Sequence, residues 1–155
     1  MHLRVFAVLA MAASTPLFAQ TPAAAGPDFS YATPLPGTWV HGTLADGSQA
    51  VFRDASGRPQ LTIQCTRSQR RVDILKPASA AAPAVMVWTS GQWRNVPARF
   101  DIAQARLAAG LTAMDPLLDA MAFSRGRIAV SVSGGPALVM PVAGEISRVV
   151  EDCRV

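Results

Sequence analysis

The chain has 155 residues, 50% of them hydrophobic, with 14 Lys and Arg against 10 Asp and Glu and a formal net charge of +4. So small a basic excess, spread along the chain, argues against a nucleic-acid-binding role. Two cysteines and a single histidine beyond His2 do not make a zinc site. The length fits one domain able to bury a real core.

The first stretch, MHLRVFAVLAMAASTPLFAQ, carries Arg4, nine apolar residues from Val5 to Ala13, the breaker Pro16 and the small residue Ala19. Nine residues reach only about 14 Å as a helix, short of the hydrocarbon thickness of a bilayer. Residues 1–19 are therefore expected to be a secretory signal peptide cleaved after Ala19. No cysteine precedes Cys65, which removes a lipoprotein anchor at the cut, and no twin arginine precedes the apolar run. No later segment offers eighteen uninterrupted apolar residues, so the mature chain is expected to be periplasmic or secreted, without a transmembrane segment. Without Arg4 it keeps 13 basic and 10 acidic residues, and Lys76 is its one lysine. The arginine preference is read as a GC-rich coding bias.

Residues 20–36, rich in proline and small side chains, read as a flexible tether on which Phe29 and Tyr31 could pack back. A single β-rich domain over 37–155 follows. GTWVHGT, with Trp39, opens as a strand. The turn residues of ADGS and DASG then separate alternating segments that run to Cys65. RRVDILK predicts a strand with Val72 and Ile74 on one face, and PASAAAP at 77–83 a loop. AVMVWTS predicts a strand buried on both faces or lying at an interface, and QWRNVPARFD with ARLAAGLT a further pair.

At DPLLDAMAFSRG the period changes. Asp115 is an N-cap type, Pro116 suits the first helical position, and Leu117, Leu118, Met121 and Ala122 share a face. RIAVSVS, the turn in SGGP and PALVMPV predict a last hairpin, and EISRVVEDC a closing helix. In that helix Ile146, Val149, Val150 and Cys153 follow the i, i+3, i+4, i+7 spacing of one buried face. Cys65 lies on the same strand face as Leu61 and Ile63, so a disulfide between Cys65 and Cys153 is expected in an oxidising compartment. The predicted fold is mainly β, an antiparallel β-sandwich or partly closed barrel with two short helices.

No catalytic set assembles in this reading. His41 reads as a surface or rim histidine. Ser124, in AFSRG, follows a helix and precedes a strand, the reverse of a nucleophile elbow. Asp115 with Asp119 and Glu151 with Asp152 read as capping and solvated carboxylates. Candidate binding residues are the arginines Arg125, Arg127 and Arg148, with Arg154 beside them, whose guanidinium forks suit carboxylate or phosphate. Internal pairing with Glu145, Glu151, Asp152 and Asp119 is the alternative. Trp88 and Trp93 flank a turn, and two readings stand: one in the core with the other an interaction anchor, or both in the core. No cofactor and no metal are expected.

The stretch DPLLDAMAFSRGRIAVSVSGGPALVMPVAGEISRVVEDCRV resembles small, uncharacterised exported proteins of alphaproteobacteria that end in a helix, hairpin, helix and cysteine unit. Its order is also similar to the invasion-associated locus B family of periplasmic β-rich proteins, although that family usually has additional cysteines. The resemblance implies an envelope protein with no catalytic motif to carry over. The functional expectation is an exported cell-envelope binding or accessory protein without catalytic activity. Its partner would be another envelope protein or an anionic envelope component. The alternative is a small secreted protease inhibitor that presents residues 20–36.

Overall fold

The computed structural model describes residues 26–132 and 135–155. The signal-peptide reading, residues 20–25 of the tether, and Ser133 and Gly134 of the last turn lie outside them. Among the described residues the chain forms nine strands. They are β1 (Gly37–Leu44), β2 (Gly47–Asp54), β3 (Pro59–Thr66), β4 (Arg71–Pro77), β5 (Ala84–Trp88), β6 (Trp93–Asp101), β7 (Arg106–Thr112), β8 (Arg127–Val132) and β9 (Leu138–Pro141). Two α-helices, α1 (Pro116–Ala122) and α2 (Gly144–Asp152), complete it, with a 3-10 turn at Arg67–Gln69. No helix among these residues is long and apolar enough to cross a membrane.

All strand pairings are antiparallel, in the order β1-β2-β3-β4-β7-β6-β5-β8-β9, and the sheet curls into a nearly closed barrel. The alternation read from the sequence decides which side chains fill it. Phe52, Leu61, Ile63, Val72, Ile74, Val85, Val87, Leu107, Ile128, Val130 and Met140 point inward into one continuous core. The two edge strands meet through Trp39, whose Nε1–H donates to the carbonyl of Pro141 at 2.8 Å. Just before β1, the amide of Leu35 donates to Val139 O at 2.8 Å, so the free edge of β9 is partly covered.

Antiparallel connections sort the turns onto two ends. One end holds the β1–β2, β3–β4 and β5–β6 turns and both helices. The two helices, expected one to each side of the last hairpin, pack against each other here. The Asp115 carboxylate caps α1 by accepting from Leu117 N at 2.9 Å and is held in turn by the Arg94 guanidinium at 2.8 Å. Ile146, Val149, Val150 and Cys153 of the α2 segment are buried against the barrel. Cys153, the C-cap, is bonded to Cys65 of β3 with the Cα atoms 5.5 Å apart.

The apolar character of β5 on both faces has a simple cause. Val85 and Val87 join the main core, while Trp88 lies on the outer face with Ala129 and Val139. That outer patch is covered by Phe29, whose ring meets the Trp88 ring edge-on at 5.7 Å, and by Ala32. Residues 29–35 of the segment read as a tether thus lie against the sheet, whereas Tyr31 points into solvent.

Candidate functional site

The arginine group of the C-terminal unit is divided among separate partners. Arg154 pairs with Asp119 Oδ1 at 2.8 Å and donates to Ala113 O at 2.9 Å, fastening the chain end to α1 and the segment before it. Arg127 donates to the carbonyl of Ala32 and so holds the N-terminal segment on the outer face of β8. Arg125 and Arg148 are exposed. Of the internal pairings expected for this group, the structure forms the one between Arg154 and Asp119. Trp88 and Trp93 face each other across the β5–β6 hairpin, Trp88 buried under Phe29 and Trp93 44% exposed.

Ser124 is a structural hydroxyl. Its Oγ donates to Arg127 O at 2.6 Å and accepts from Ser90 N at 2.8 Å, while Ser90 Oγ accepts from Arg125 N at 2.8 Å. The two serines clasp the β5–β6 turn to the α1–β8 junction.

His41 is not the rim residue the sequence suggested. Its side chain is 12% exposed, and its Nε2 lies 3.5 Å from Asp152 Oδ2 on α2. Ser48, buried on β2, lies on the same sheet face, two residues from the partner of His41 in the register. The Ser48 hydroxyl, then His41 and the Arg67 charge, hold the Asp152 carboxyl below its usual value of 3.8, against the opposing effect of burial. His41 Nε2 and Ser48 Oγ are both buried without a hydrogen-bond partner among the described residues, so proximity and charge are what join them to Asp152 where α2 meets β1 and β2.

The remaining feature is the end of the barrel without helices. There the close of β4, the 78–83 loop and the close of β8 border a cleft of about 370 Å³, within the range of small-molecule sites. Pro77, Ala78, Ala82 and Val132 form apolar walls, and Ala78, Ala82 and Val132 rest on the core. Among the described residues lining it, Lys76 is the single charged side chain. Lys76 continues the inward row of Val72 and Ile74 and lies opposite the fully buried Leu107. Burial pushes its ammonium below the usual 10.5, and among the described residues no carboxylate pairs with it.

No family model, curated protein or solved structure matches the chain. A half-buried ammonium without a counter-ion among the described residues, on a wall of small and apolar residues whose one hydroxyl is that of Ser79, suits a ligand that brings negative charge. The sequence reading passed over Lys76, although two signals were present. It is the one lysine among 14 basic residues, and the alternation of Val72 and Ile74, carried one step further, puts it inside the barrel.

Proposed function

We propose that the protein is an exported cell-envelope binding or accessory protein that acts without catalysis and takes an anionic envelope component at the helix-free end of its barrel. The observation that carries this reading is Lys76, a cation on the inward face of the cleft with no acidic partner among the described residues. The disulfide between Cys65 and Cys153 supports export, since such bonds persist in oxidising compartments. The resemblance of residues 115–154 to exported envelope proteins points the same way. An inhibitor presenting residues 20–36 has less support, because Phe29, Ala32 and Leu35 are engaged by Trp88, Arg127 and Val139.

The test is retention of anionic material from a native envelope extract on the tagged mature protein. Lys76→Met is expected to lower retention several-fold, and the combined Arg125→Ala, Arg127→Ala and Arg148→Ala variant to leave it unchanged. Retention indifferent to Lys76, or turnover of ester, peptide or glycan substrates lost on Ser124→Ala or His41→Ala, would overturn the reading.

A further inference from the structure

Resting on that reading of the helix-free end, we infer that the Lys76 cleft binds a small organic monoanion: a singly charged head on a short hydrocarbon body.

The charge count sets the head group. Polyanions such as nucleic acid or polyphosphate are held by several cations at once, and the described lining offers Lys76 alone. A neutral ligand would offer the ammonium at most a hydrogen bond and no opposite charge in a drier place, so it gains less there than an anion. A metal cation has the wrong sign. A single negative charge fits what the cleft presents.

The walls set the body. Pro77, Ala78, Ala82 and Val132 offer aliphatic carbon, and three of these residues lie directly on the core, so a hydrocarbon chain there extends an apolar surface already formed. Each CH2 group moved out of water onto such a surface adds to the affinity. A bare acetate forgoes that contribution, and its charge alone competes with water for one amine. Head and body must therefore act together. The small side chains of the 78–82 loop leave the space that a larger residue would fill, and the cleft of about 370 Å³ follows from them.

The lysine itself gives the readout. Lys76 is the one lysine in 155 residues, so reductive methylation with labelled formaldehyde yields a single dimethyl-lysine NMR signal, apart from the chain's α-amine. The probes are octanoate, octyl sulfate, octanol and acetate, titrated into the full mature protein by calorimetry and into its methylated form by NMR. Octanoate is expected to bind saturably, to move the Lys76 signal and to raise the pH at which that amine loses its proton, because a nearby anion favours the ammonium. Octanol and acetate are expected to bind at least tenfold more weakly. Lys76→Met should weaken octanoate at least tenfold, and Lys76→Arg should restore most of the affinity, with unchanged melting temperatures marking both variants as folded.

Octanol binding as well as octanoate, or an unmoved lysine signal at saturating octanoate, would overturn the inference. Octyl sulfate is expected to bind as octanoate does, and failure of both to bind saturably would overturn the inference. Envelope retention that still depends on Lys76 while octanoate fails to bind would remove this ligand class and leave the proposed function standing.

Discussion

The indole Nε1–H of Trp39 on β1 donates to the carbonyl of Pro141 at the end of β9, and this 2.8 Å bond joins the first strand of the sheet to the last. Trp39 is 7% exposed and packs on Phe52 with ring centroids 5.4 Å apart. The ring therefore fills the core while its polar edge completes the seam. Tryptophan suits the position because it combines a large apolar body with a donor.

Trp39→Phe keeps most of the packing and removes the donor. The Pro141 carbonyl then loses its partner, at a cost of about 1–3 kcal/mol. The seam also carries the bond from Leu35 N to Val139 O, so hydrogen exchange at the Leu35 amide should accelerate more than at the β3 and β4 amides. Denaturant unfolding and exchange mass spectrometry test this. A variant as stable as the parent, with Leu35 still protected, would show that the seam holds without the indole.

The Cys65–Cys153 bond closes a loop of 88 sequence positions. In the chain-entropy account such a crosslink contributes about 4–5 kcal/mol, an upper figure. Reduction or Cys65→Ala should therefore lower the denaturant midpoint strongly and loosen α2 first, since α2 meets the barrel on β1, β2 and β3 beside the bond. Intact mass with and without reductant should differ by two hydrogens. Two reactive thiols in protein purified under oxidising conditions would refute the crosslink.

Local chemistry made the elements readable and left the closure unread. Asp115 with Pro116 announced α1, the spacing from Ile146 to Cys153 announced the buried face of α2, and ADGS and DASG marked the first hairpins. Each of these signals acts within a few residues. The pairing of β4 with β7 and of β5 with β8 does not. Those partners are chosen by how the sheet curls to bury its apolar face, which no short window encodes. His41 and Lys76 illustrate the same limit, because Asp152 reaches the first from α2 and the second owes its setting to the cleft around it. The arginines were visible as charges, yet the carbonyl of Ala32 and the carboxylate of Asp119 that take up Arg127 and Arg154 come from distant parts of the chain.

Acid should weaken the protein through its turn carboxylates. Asp54 accepts from Ser56 Oγ at 2.6 Å, Gln60 Nε2 at 2.7 Å, Ser56 N at 2.9 Å and Arg58 N at 3.0 Å, and these donors hold its carboxyl well below the usual 3.8. Asp46 is lowered by Ser68 and Asp28 by Ser30. A carboxyl whose folded value is depressed stabilises the fold above its unfolded value and loses that contribution as the pH falls through the folded value. Stability should thus be nearly level from pH 7 to about 5 and decline below about 4. Urea midpoints at pH 7, 5 and 3 test this, and Asp54→Asn should flatten part of the decline. Parallel declines in parent and variant would place the acid sensitivity elsewhere.

Gly47 couples the first turn to the disulfide. Its φ of +134° is one that side chains rarely adopt, and a Cβ there would overlap the carbonyl oxygen of Cys65 and come 3.2 Å from its Sγ. Gly47→Ala should therefore destabilise by at least about 2 kcal/mol, combining backbone strain with the clash. The strand carrying Cys65 is paired with β2 and β4 and fastened to this turn by Arg67 N donating to Asp46 O at 3.0 Å, so its backbone cannot yield to the new Cβ. Cys65→Ala removes the Sγ part of the clash and leaves the carbonyl part in place. The Gly47→Ala and Cys65→Ala changes should consequently cost less together than the sum of the two alone, by about 0.5–1 kcal/mol in a double-mutant cycle. Strict additivity would mean that the turn and the crosslink strain the chain independently.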